Sequence, residues 1–137
     1  EDLAHFNAEA EQLVRQYDAY RPFPDLAVNG RLTLAENLAD LAGLTAAYDA
    51  YRLSFGGKPA PAVGGLTGDQ QFFLSFAQAW RGKQRDAALR QRLLTDGHAP
   101  GQYRALTVRN MDSWYGAFAV KPGQALHLAP GDRVRVW

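Results

Sequence analysis

Apolar residues along this chain recur mainly at three- and four-residue steps, the spacing of helices that bury one face. Over Glu1–Tyr20 they fall at Leu3, Phe6, Ala10, Leu13, Val14 and Tyr17, and the run breaks at Arg21-Pro22-Phe23-Pro24, where each proline removes an amide and restricts its predecessor. Asn29-Gly30 reads as a turn and Thr33 as an N-cap, followed by Leu34, Leu38, Leu41 and Ala42 at helical spacing. A central helix therefore opens near Thr33 and carries Tyr48 and Tyr51 at its far end. Gly56-Gly57, Pro59, Pro61 and Gly64-Gly65 mark a surface loop, after which Thr67-Gly68-Asp69-Gln70 forms a capping box ahead of Phe72, Phe73, Phe76, Ala77 and Trp80. A short helix over Asp86–Leu94 leads to a turn-rich loop, Thr95 to Pro100, and Val108–Phe118 reads as a last helix burying Met111, Trp114, Tyr115 and Phe118. Leu126 and Leu128, then Val134 and Val136, alternate with polar residues in a tail punctuated by Pro122-Gly123 and Pro130-Gly131. This predicts two short strands or extended segments. The fold class is mainly α with a short extended or β tail.

Composition narrows the possibilities without choosing among them. At 137 residues and 47% hydrophobic content, the chain can bury one core and forms a single domain or part of one. Fifteen basic against fourteen acidic residues, a formal charge of +1, favour neither nucleic acid nor an anionic membrane as partner. The absence of cysteine removes disulfides and thiolate metal sites. No apolar stretch is long enough to cross a bilayer and no signal-peptide pattern is present. The chain begins at Glu1 rather than Met, so whatever stands upstream is out of view.

Two clusters carry candidate chemistry. Glu36 and Asp40 lie four residues apart on the central helix, so about 40° of rotation and about 6 Å of rise put both carboxylates on one face. Like charges at that spacing repel, and a cation is the simplest compensation. The alternative for Glu36 is a capping box with Thr33. The second cluster is Asp96, His98 and Arg104, gathered around Gly97 and Pro100; composition alone also allows a plain surface loop. His5, beside Phe6 on a helix edge, reads as a surface or packing residue, and His127, between Leu126 and Leu128, as a strand residue facing solvent.

The segment Asn29-Gly30, Thr33-Leu34-Ala35, Glu36-Asn37-Leu38-Ala39-Asp40 resembles the Glu-Asn-x-Ala-Asp signature of the neprilysin-type zinc metallopeptidases. Ala35 and Ala42 stand where that family has glycines, changes that favour helix. Further resemblances run along the chain: Glu1-Asp2, Phe6, Leu13-Val14 and Gln16-Tyr17; Phe72-Phe73, Phe76-Ala77 and Trp80; Asp96, His98, Pro100 and Arg104; and the ending Arg133-Val134-Arg135-Val136-Trp137, which suggests a natural terminus. Arg81-Gly82 replaces the Cys-Gly that commonly follows the family's tryptophan. The resemblance implies that Glu36 is a zinc ligand and that Asp40 orients a ligand histidine. It places Ala79 and Trp80 near the pocket for the side chain just after the scissile bond. His98 would donate to the oxyanion, Asp96 support its imidazole, and Arg104 bind the substrate's backbone carbonyl.

The resemblance thus implies the C-terminal part of a zincin-like catalytic domain, from a bacterial zinc metalloendopeptidase acting on oligopeptides in a periplasmic or extracellular setting. The chain lacks a His-Glu-x-x-His motif, which would supply two imidazoles and a general base. The expected partners are therefore a peptide substrate and the missing N-terminal part of the same protein. Alone, the chain is expected to bind zinc weakly or not at all and to cleave nothing. The rival reading is a non-catalytic helical binding or regulatory module.

Overall fold

The computed structural model describes residues 2–135. Six helices build it: α1 (Asp2–Asp18), α2 (Leu34–Ser54), α3 (Gly68–Ala79), α4 (Asp86–Thr95), α5 (Gly101–Ala105) and α6 (Asp112–Phe118), with 3-10 turns at Leu106–Asn110 and Pro130–Asp132. Helix α2 is the spine, packed against α1 and the first 3-10 turn, while α3 packs on α6 and α5. Their facing residues form one core: Leu13 and Tyr17 from α1, Leu41 and Leu44 from α2, Phe73 from α3, and Trp114 and Tyr115 from α6. Burial pushes the Tyr17 phenol well above its ordinary range, because the charged form loses its hydration there.

The turn that starts the spine is set by packing. Gly30 lacks a positive φ, but a Cβ on it would sit 2.2 Å from the Val14 carbonyl oxygen, and its amide donates to Asp18 Oδ1 at 2.7 Å. Only glycine lets the two backbones approach this closely. The loop before α3 closes as the sequence predicts, since Thr67 and Gln70 form a reciprocal capping box.

Two expectations need correction. The helix predicted over Val108–Phe118 is two pieces, because Met111 is extended (φ −103°, ψ 116°) between the 3-10 turn and α6. Asn110 accounts for the break: its Oδ1 accepts from the Val134 amide and from Gln16 Nε2, and its Nδ2 donates to Gln16 Oε1, which ties this corner to both α1 and the tail. The tail itself forms no strand among the described residues. Only isolated bridges, Phe23 with Leu26 and Val63 with Leu66, occur, and the tail is extended at Ala129 and Arg133 around its 3-10 turn. Side chains hold it instead. Arg133 donates to the Leu128 carbonyl and Asp112, and Tyr115 Oη accepts from the Leu128 amide. His127 lies in this turn-rich stretch, edge-on to Tyr115, rather than on a strand. Val136 and Trp137 of the terminal motif lie outside the described residues.

Candidate active site

The first two turns of α2 present Glu36 and Asp40 on one face. Glu36 does not close a capping box: Thr33 makes no side-chain cap bond to α2. Its hydroxyl donates to the Asn29 carbonyl and accepts from Asn37 Nδ2, so the Glu36 carboxylate is left to project outward, 40% exposed. Asn37, fully buried between the two acids, locks this turn through Thr33; its Oδ1 has no donor among the described residues. The sequence reading included Asn37 in the Glu-Asn-x-Ala-Asp segment but gave it no role; its part in the turn follows from its burial and its bond to Thr33.

Opposite Glu36 stands the Asp96–Pro100 loop. Asp96 Oδ1 accepts from the backbone amide of His98 at 2.9 Å and meets its Nδ1 at 2.8 Å, while Oδ2 accepts from Arg92 Nε at 2.9 Å. The two hydrogen bonds from His98, with Arg92 behind them, hold the Asp96 carboxyl down at about 2. A carboxylate only accepts, so Nδ1 of His98 carries a proton. Nε2 of the same ring is 3.2 Å from Glu36 Oε2. A continuous polar chain therefore runs Arg92, Asp96, His98, Glu36.

A second unit lies alongside. Arg104 on α5 grips Asp40 with Nε and NH2, both at 2.7 Å, a planar two-point match that only arginine offers. Both groups are largely buried, with side chains 17% and 10% exposed. The guanidinium lies 4.1 Å from the ring centre of Trp80, within cation–π range. Gly101 permits the approach, since a Cβ there would meet the Trp80 carbonyl oxygen at 2.7 Å. The indole Nε1 is buried without an acceptor among the described residues.

Residues 1–134 match the sequence profile of peptidase family M13. The chain belongs to that family. Among its relatives it is 34% identical to neprilysin-3 of Drosophila melanogaster, covering 98% of this chain and 17% of that protein. It is 38% identical to human membrane metallo-endopeptidase-like 1, covering 97% and 18%. The solved structure of Mycobacterium tuberculosis zinc metalloprotease Zmp1 in complex with inhibitor superposes with a TM-score of 0.93 at 44% identity, over 96% of this chain and 21% of that one. The chain thus spans about a fifth of the length of the M13 proteins it matches.

The candidate residues sort by position. Glu36, Asp40, Asp96, His98, Arg104 and Trp80 converge on the N-terminal half of α2. Ala79 does not: it borders an open apolar groove of about 790 Å³ with Leu44, Tyr51, Phe72 and Phe76, whereas Trp80 lines a separate cleft with Arg104. Adjacent positions at a helix end differ by about 100° of rotation, and that angle sends the two side chains to different surfaces. His5 is also remote, its Nε2 bonded to the Arg135 carbonyl. Among the described residues no group of three or more His, Asp or Glu side chains is arranged to hold a metal ion. The half-exposed carboxylate of Glu36 has the chemistry of a single zinc ligand, and alone it does not make the three-protein-ligand set of a catalytic zinc.

Proposed function

We propose that this chain is the C-terminal part of the catalytic domain of a zinc-dependent endopeptidase that hydrolyses oligopeptides. The observation that carries the reading is the pair of units on one face of α2, Asp96–His98–Glu36 and Asp40–Arg104–Trp80. In M13 terms Glu36 is the ligand that this chain offers to zinc, and Asp40, behind it on the same face, positions a ligand histidine supplied by another segment. Zinc, when bound, supplies the Lewis acidity that makes water a nucleophile at neutral pH. The chain's own residues act on the substrate. His98, fixed by Asp96 through Nδ1, turns Nε2 toward the space in front of Glu36, where in the imidazolium form, with both ring nitrogens protonated, its N–H donates to negative charge developing on a scissile carbonyl oxygen. Donors of this kind are worth about 2.7–4 kcal/mol in activation free energy. Arg104, oriented by Asp40 and flattened against Trp80, holds a substrate backbone carbonyl and fixes register.

The test is metal content and turnover of the full-length protein. Glu36→Gln removes the anionic ligand while keeping shape; most zinc and nearly all activity should be lost, and retention of both would sink the assignment. Asp40→Ala should weaken zinc affinity roughly 10- to 100-fold, the usual effect of removing a partner that orients a metal-ligating histidine. Unchanged affinity would leave Asp40 as the anchor of Arg104 only.

A further inference from the structure

Beside the Arg104–Trp80 stack lies a cleft of about 500 Å³ between the end of α3, the 81–85 connection, α4 and the start of α5. Trp80, Ala77, Leu89 and Ala99 form an apolar wall, and the charged residues at its border are Arg81, Lys83, Arg92 and Arg104, with no carboxylate among the lining residues. The four cations are not equivalent. Arg104 is neutralised by Asp40 and Arg92 by Asp96. Arg81 and Lys83 have no carboxylate within ion-pair distance among the described residues. Two uncompensated positive charges therefore face a cleft with one apolar wall, an arrangement that raises the local concentration of anions.

The geometry points to this cleft as a specificity pocket for a carboxylate on the leaving-group side of the peptide, with Arg81 and Lys83 as its determinants. The inference rests on the peptidase reading for its directional sense: a peptide whose carbonyl is held by Arg104 projects its neighbouring group past Trp80 toward Arg81 and Lys83. The carboxylate can be the side chain of a glutamate after the scissile bond or the free C-terminus of a short peptide. Both present the same anion.

Two measurements on the full-length protein decide it. The first is kcat/KM of the zinc-loaded protein on internally quenched peptides. These carry Glu or Gln just after the scissile bond, or keep Gln there and end two residues later in a free or an amidated C-terminus. The second is binding to zinc-stripped protein of N-acetyl-Leu-Glu-amide, N-acetyl-Leu-Gln-amide and N-acetyl-Leu-Gln with a free carboxylate, followed by NMR. Carboxylate-bearing probes should be favoured about three- to fivefold at low ionic strength, as expected of exposed charge pairs. The preference should fade in about 0.5 M salt and collapse toward unity in Arg81→Gln/Lys83→Gln. Whether the Glu arm or the free-terminus arm shows it assigns the source. Equal handling of all probes, or a preference that survives the double variant, overturns the pocket. Cleavage without preference leaves the peptidase reading standing and the pocket refuted. Preferential binding with no cleavage of any peptide does the reverse.

Discussion

Asp96 shows how much one short-range hydrogen-bond pattern decides. With its carboxyl held near 2 against 3.8 in an open chain, the folded state binds this proton less readily than the unfolded one. The group's contribution to stability is therefore complete above about pH 4 and is lost as pH falls through that window toward 2. Asp96→Asn should lower the urea midpoint at neutral pH and flatten its decline between about pH 4 and 2; a parallel decline in both proteins would show that Asp96 is not the group responsible. The identity of this residue was legible in sequence because Asp96 and His98 are neighbours, and a side chain bonding two residues ahead is local chemistry. The contact of His98 with Glu36 was not, because it joins positions that only folding brings together. Spacing alone likewise left Glu36 open between cap and ligand. What settled its orientation was the use of the Thr33 hydroxyl by Asn29 and Asn37, a detail of three-dimensional packing.

Helix positions were readable wherever periodicity and capping agreed: α1, α2, α3 and α4 fall where the apolar steps and the Thr67–Gln70 box put them. The sequence reading failed at α6 for a definite reason. Met111, Trp114, Tyr115 and Phe118 do bury one face at helical spacing, but the backbone before them is diverted by Asn110, whose three side-chain bonds reach residues 24 and 94 positions away. At its other end α6 stops at Ala119, held left-handed with φ 50°. A residue with a Cβ is strained there by about 1 kcal/mol, and glycine is the usual occupant of that position after a helix. Ala119→Gly should therefore stabilise the protein by up to about 1 kcal/mol, read as a higher denaturant midpoint with an unchanged slope. A lower midpoint would mean that the methyl group contributes packing that outweighs the strain.

For the whole molecule, the family and the helical class were anticipated from motifs, whereas the joining of the two units, the separation of Ala79 from Trp80 and the strandless tail were not. Family M13 membership also bears on the isolated chain. One carboxylate ligand does not make the three-protein-ligand site of a catalytic zinc, so purified residues 1–137 should bind less than stoichiometric zinc by elemental analysis and show no chelator-sensitive hydrolysis of an unstructured peptide. Stoichiometric metal in this segment alone would mean that other residues make the site. The tail that sequence patterning read as strands is instead clasped to α1: Gln12 donates to the Gly131 carbonyl, Gln16 to the Asp132 carbonyl, and the Arg135 amide donates to Glu9. These partners are 116 to 126 residues apart. Closing a loop of that length costs roughly 2 kcal/mol more entropy than closing one a tenth as long, and the bonds that close it are solvent-exposed and individually weak. The clasp is thus a place of local opening around a buried anchor, Val134, whose amide stays bonded to Asn110. Its opening is a local fluctuation that frees the start of α1 without melting the core. Amide exchange should report this directly: in Glu9→Ala/Gln12→Ala the amides of the first turns of α1 and of residues 131–133 and 135 should exchange faster together, while those of Val134 and around Leu41 and Phe73 keep their protection.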